Sequence, residues 1–181
     1  MDRQTAFICY DHVEDTQSAR ELELLCRRAG VSLSDTPEDA GVTIVLIGPK
    51  AWSRAAVDEE IRLSLSNGRQ DPNGVIGVLL EYHGSLPKRL ADNVSSPLEL
   101  QPCQKQDDGS YCLMTTWDRL LPPRSWQYGS ATQDQIEGKA HQLRELIGKA
   151  RSISVGGRMP LNESSSPEAD QVCSYPRRWW L

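Results

Sequence analysis

Three consecutive carboxylates, Asp58-Glu59-Glu60, stand a few residues after Gly48-Pro49-Lys50-Ala51-Trp52, which ends the strongest apolar run of the chain. Val57, Ile61 and Leu65 recur at helical spacing around them. At about 100° per residue this stripe centres near Ile61, so Glu59 points roughly away from it while Asp58 and Glu60 flank its border. On spacing alone the ordinary account of these acids is the helix dipole, which favours them in a first turn by about 0.3–1 kcal/mol. Familiar enzyme signatures are missing: no GxSxG, no GxxxxGK[ST] and no HExxH occurs. Gly74 and Gly77 lie inside a strand pattern without the spacing of a dinucleotide fingerprint.

The elements that must hold these acids read as alternating strands and helices. Thr5–Tyr10 is apolar and β-favouring. Asp15 or Thr16 can cap a helix reaching about Ala29, with Ala19, Leu22, Cys26 and Ala29 on one face. Val31–Leu33 is a short strand, and Gly41–Ile47 and Gly74–Leu80 are apolar on both faces, as central parallel strands are. Helices are expected over about Val57–Asn67, Pro87–Asn93 and Gln133–Ala150, and Tyr111–Met114 reads as an edge strand. The fold class is therefore α/β, a flavodoxin-like doubly wound parallel sheet with a C-terminal helix and tail. Such sheets bind ligands beyond the carboxyl ends of their strands. That directs attention to Tyr10–Asp15, Ser34–Asp39, Gly48–Trp52 and Glu81–Gly84. The domain is expected to span residues 1–152. Residues 153–181, ending Arg177-Arg178-Trp179-Trp180-Leu181, read as a flexible tail or a docking peptide.

Composition narrows the function. The 181 residues carry 25 acids against 20 bases, a net charge of -5 and a pI near 5.2, which argues against nucleic acid as a partner. No run reaches the roughly 20 apolar residues needed to span a bilayer. Met1-Asp2-Arg3-Gln4 lacks the basic start of a signal peptide, so a cytoplasmic location is expected. Five widely spaced cysteines and three scattered histidines form no zinc pattern; no metal is expected, and the cysteines read as free thiols.

The order Phe7-Ile8-Cys9-Tyr10-Asp11, then Val45-Leu46-Ile47-Gly48, then Trp52, then Ala56-Val57-Asp58-Glu59-Glu60-Ile61 resembles the bacterial TIR-like domain family of Thoeris antiphage defence. The likeness covers about Thr5–Asn93. This chain has Ala56 where the family usually carries Trp, and only Ser34–Ala40 where the family often has a whole helix.

The resemblance implies an enzyme that cleaves the nicotinamide–ribose bond of NAD, with Glu60 on the family's catalytic glutamate. NAD is then substrate, and no separate cofactor is implied. Substrate-binding candidates are Phe7, Cys9, Tyr10, Asp11, Ser34, Asp35 and Trp52. Packing accounts equally well for Phe7 and Tyr10 and is the better account of Cys9, and turn chemistry is the better account of Ser34 and Asp35. Asp11 is suited either to a ribose or to a turn. His12 and His83 lie in loops at the same end and receive no role. Implied partners are further copies of the chain, a phage-derived trigger and a separate downstream effector, with no nucleic acid and no membrane. Two other readings remain: a non-catalytic TIR-like scaffold or sensor, and a nucleoside deoxyribosyltransferase-like enzyme, which also places a glutamate on a ribose.

Overall fold

A computed structural model describes residues 4–66, 72–94, 111–121, 132–156 and 160. Five strands, β1 (Thr5–Cys9), β2 (Ser32–Leu33), β3 (Val42–Ile47), β4 (Gly74–Leu79) and β5 (Cys112–Thr116), form one sheet in the order β2-β1-β3-β4-β5. Every pairing is parallel. This is the doubly wound order whose connections change direction between β1 and β3. β3 and β4 are buried along their whole length, which explains why neither alternates apolar and polar residues.

Helices α1 (Thr16–Arg28), α2 (Ala55–Ser66), α3 (Lys88–Ala91), α4 (Trp117–Leu120) and α5 (Gln133–Val155) cover the two faces. Ala6 and Ile8 of β1 pack with Leu22, Leu143 and Ile147 under α1 and α5. Phe7 and Cys9 point the other way, into a layer with Val57, Ile61 and Leu65 of α2 and Leu90 of α3. The period-two alternation of a strand thus divides five residues between two cores.

Several expectations shift. Asp15 occupies the cap position of α1, yet its side chain makes no capping bond, and the Thr16 hydroxyl donates instead to the His12 carbonyl at 2.7 Å. β5 begins and ends later than expected, and it leads directly into the unforeseen α4, whose Trp117 and Leu120 are buried. Helix α5 starts in a reciprocal cap between Thr132 and Gln135 and runs through Val155, past the expected end at Ala150 and the expected domain limit at 152. Its last turn stays helical because Ile153 packs on both cores and Ser154 is buried. Pro122-Pro123 and the Arg177–Leu181 tail lie outside the described residues.

The α5 backbone rests directly on β4, since a Cβ added to Gly74 would lie 2.4 Å from the Ala150 carbonyl. Gly74→Ala is expected to destabilise the fold by about 1–3 kcal/mol through overpacking. Gly138 is open, with nothing within 4 Å, so Gly138→Ala should stabilise by about 0.5–1 kcal/mol through helix propensity. Urea unfolding with an unchanged m-value checks both.

Candidate active site at the β1–β3 switch point

The ladder has a step where the strand order changes. Cys9, the last residue of β1, pairs with Val45, whereas β3 and β4 continue side by side through Ile47 and Leu79. β3 and β4 thus run two rungs, about 7 Å, past the last pairing with β1, and this step is the notch at the carboxyl end of the sheet. The β1–α1, β3–α2 and β4–α3 loops surround it, and Gly84 donates its N–H to the Gly48 carbonyl at 3.0 Å, tying the last two together.

Helix α2 carries the three acids to this notch and separates them by partner. Glu59 is exposed and takes both arms of Arg62, at 2.6 and 2.7 Å. Asp58 receives the Nε–H of buried Arg89 at 3.0 Å. Glu60 turns toward the end of β1, and its side chain keeps 23% exposure. Its nearest charged partner among the described residues is His12, with Nε2 4.0 Å from Oε1, and its buried Oε2 accepts no hydrogen bond. Burial pushes the Glu60 carboxyl above its usual range, and the Cys9 thiol and His12 ring only partly counter that push.

The backbone of α2 is pinned under Glu60. The Cys9 thiol donates to the Val57 carbonyl at 3.7 Å. One turn on, the Ser64 hydroxyl donates to the Glu60 carbonyl at 2.8 Å and meets the Thr43 hydroxyl at 2.7 Å. The Asn73 amide donates in turn to Thr43 and to the Pro37 carbonyl, at 3.1 and 2.7 Å. These bonds satisfy polar groups inside an apolar layer and fix the height of α2 along β3.

The other side of the notch is also charged. Asp11, 4% exposed, accepts from the Arg54 Nε–H at 2.8 Å and from the Val13 N–H at 3.1 Å. Burial opposes its charge, but the Arg54 guanidinium and the Val13 N–H outweigh burial and hold its carboxyl below the ordinary range. Lys50 pairs with Glu14 at 2.7 Å. Asp15 lies against the backbone of Gly48, where an added Cβ would come within 2.1 Å of Oδ1. Buried there beside Asp11, with Oδ2 lacking any partner, its carboxyl is pushed up to about 6.

Cys9, Tyr10, Asp11 and Glu60 thus converge at the end of β1. Cys9 is wholly buried, and Phe7 sits two residues deeper in the same core, so the structure makes them supports of α2 rather than walls of an open pocket. Tyr10 is half-buried on the opposite face, and its ring meets that of His12 with centroids 4.3 Å apart. Trp52, 46% exposed, stands on the β3–α2 loop with its ring edge near Gly84. Ser34 and Asp35 are not brought to the notch. The Ser34 N–H bonds to the Ala6 carbonyl, which places both residues lower on the edge beside β1, and the Ser34 hydroxyl is spent in a turn with Thr36. His12, Asp15 and Arg54 were missed, although each lies within a few residues of Asp11 or Trp52. No group of three or more His, Cys, Asp or Glu among the described residues is arranged to hold a metal ion. Nor is any described helix long and apolar enough to cross a membrane.

Residue 15 carries a pH signature. An acid whose folded pKa is raised from 3.8 to about 6 binds more protons folded than unfolded, so its contribution to stability falls as pH rises across that interval. Asp15→Asn is expected to remove this slope: the variant should gain on the parent between pH 4 and pH 6.5 and hold the gain above. Denaturant midpoints across that range check it.

Comparison with known proteins points to a family. Residues 32–85, under a third of the chain, match the family described as Thoeris protein ThsB, TIR-like domain, and the matched segment includes β3, Trp52 and Glu60. That segment resembles the TIR-like domain of ThsB. Talin-A of Dictyostelium discoideum is 24% identical over 173 residues, 90% of this chain, and the chain spans about 6% of that relative's length. No solved structure matches.

Proposed function

We propose that the chain is a TIR-like NAD-consuming enzyme, an NAD glycohydrolase or ADP-ribosyl cyclase whose product signals in antiphage defence. The observation that carries this reading is Glu60. Of three adjacent acids it alone is left without an arginine or lysine among the described residues, and it stands half-buried at the switch-point notch.

Loss of nicotinamide from NAD leaves a ribose with oxocarbenium character, and a carboxylate held beside that sugar stabilises the positive charge as it develops. Glu60 Oε2 is buried, so ribose hydroxyls would donate to Oε1, the oxygen that faces His12. Partial desolvation strengthens that interaction, because fewer waters compete for the charge. The pyridinium leaves as a neutral molecule, so no strong general acid is required. Trp52 and the exposed Tyr82 offer flat apolar surfaces for the substrate rings. Water as acceptor yields ADP-ribose, and an atom of the same nucleotide yields a cyclic isomer. Further copies of the chain, a phage-derived trigger and a separate effector complete the proposal.

One observation favours a scaffold instead: a single turn of 3-10 helix, Pro37–Asp39, stands between β2 and β3 where the family often has a whole helix. Incubating the protein with NAD, with and without infected-cell lysate, and measuring nicotinamide by chromatography separates the two. Glu60→Gln is expected to lower nicotinamide release by about 10²–10³-fold with an unchanged circular dichroism spectrum. Full turnover by that variant would remove Glu60 from the mechanism. Transfer between a deoxynucleoside and a free base would point to the deoxyribosyltransferase-like alternative.

A further inference from the structure

The histidine beside Glu60 is held in a way that a solvated loop residue is not. Its ring packs against Tyr10 with centroids 4.3 Å apart, and its carbonyl accepts the Thr16 hydroxyl at 2.7 Å. Its Nε2 faces Glu60 Oε1 at 4.0 Å, yet its side chain remains 63% exposed. His12 therefore bridges the end of β1, from Tyr10 on the α1 face to Glu60 on the α2 face. Glu81 aside, the other described bases of the mouth have partners or are shut away. Asp11 is bound to Arg54 and Glu14 to Lys50; Asp15 is buried against Gly48, and His83 Nδ1 is turned to the Gly84 carbonyl.

We propose that His12 is the base that takes the proton from the acceptor hydroxyl, so that it governs the fate of the ribosyl cation rather than the rate of its formation. The inference rests on the reading that Glu60 faces the ribose. The C1′–N bond breaks and its electron pair returns to the pyridinium nitrogen, releasing neutral nicotinamide. A lone pair of the acceptor oxygen then forms the bond to C1′. The acceptor's O–H bond breaks, its electrons stay on oxygen, and the proton passes to Nε2 and onward to solvent. The imidazolium formed on the way lies beside the Glu60 carboxylate, and opposite charges that close favour each other even at a partly wet site. Glu60, spent on the ribose hydroxyls, is not free to take this proton.

Acceptors with and without a proton separate the two steps. With the full-length protein, NAD and 3-acetylpyridine, the exchange product forms without deprotonation, whereas ADP-ribose requires it. For His12→Ala and His12→Gln, the ratio of exchange product to ADP-ribose is expected to rise tenfold or more over that of the parent, within the range of general-base effects. Adding methanol should show the same deficit for methyl ADP-ribose. An unchanged ratio in both variants, or an equal fall of both products, overturns the role of His12 while leaving Glu60 in place. A parent protein that releases no nicotinamide under any condition overturns the NAD reading itself, and this inference with it. Exposure of residue 12 makes folding of the variants a small concern, and circular dichroism confirms it.

Discussion

The geometry of the mouth depends on how α2 is held against β1 and β3. An apolar helix face on an apolar sheet can slide with little penalty, because hydrophobic contact has no direction. Hydrogen bonds have direction, and a relay of them runs from the Asn73 amide through Thr43 and Ser64 to the Glu60 carbonyl. The Cys9 thiol adds a second anchor on the Val57 carbonyl. Shifting α2 by one residue would leave these buried groups unpaired, at about 1–3 kcal/mol each. The polar residues of this layer therefore specify where the carboxyl of Glu60 stands.

With that position set, the charges around the notch arrange themselves by pairing. Arginines take Glu59, Asp58 and Asp11, and a lysine takes Glu14. Among the described residues, the two acids of the notch left without a lysine or arginine, Glu60 and Asp15, are the two whose carboxyls are pushed upward by burial. They differ in access. Asp15 is shut against Gly48, while Glu60 retains an open side toward His12. A structural role fits the first and a chemical role the second.

Much of this was legible in the residues. Strands buried on both faces announce a parallel sheet, because only such strands lose their alternation, and the Val57/Ile61/Leu65 stripe placed Glu59 outward and Glu60 at the border. What the residues did not reveal follows from distance along the chain. Asp11 and Arg54 are 43 positions apart, and no local pattern signals their meeting. Ser34 and Asp35 follow a strand as site residues do, but β2 pairs too low on β1 to carry them to the notch. His12 looked idle because its neighbours, Tyr10 and Glu60, belong to opposite faces of the sheet. Helix α4 and the last turn of α5 were hidden because burial, rather than propensity, keeps them formed.

Helix α5 closes the layer that shields Leu22, Cys26 and Ile44 from water. On the ribosome this helix is made long after β1, α1 and α2 have emerged. Until it arrives, that flank of the sheet is wet, and the strands have little reason to stay together. A nascent chain therefore cannot present a finished mouth early. Competence of any kind awaits the translation of Gln133–Val155, which keeps half-built copies silent.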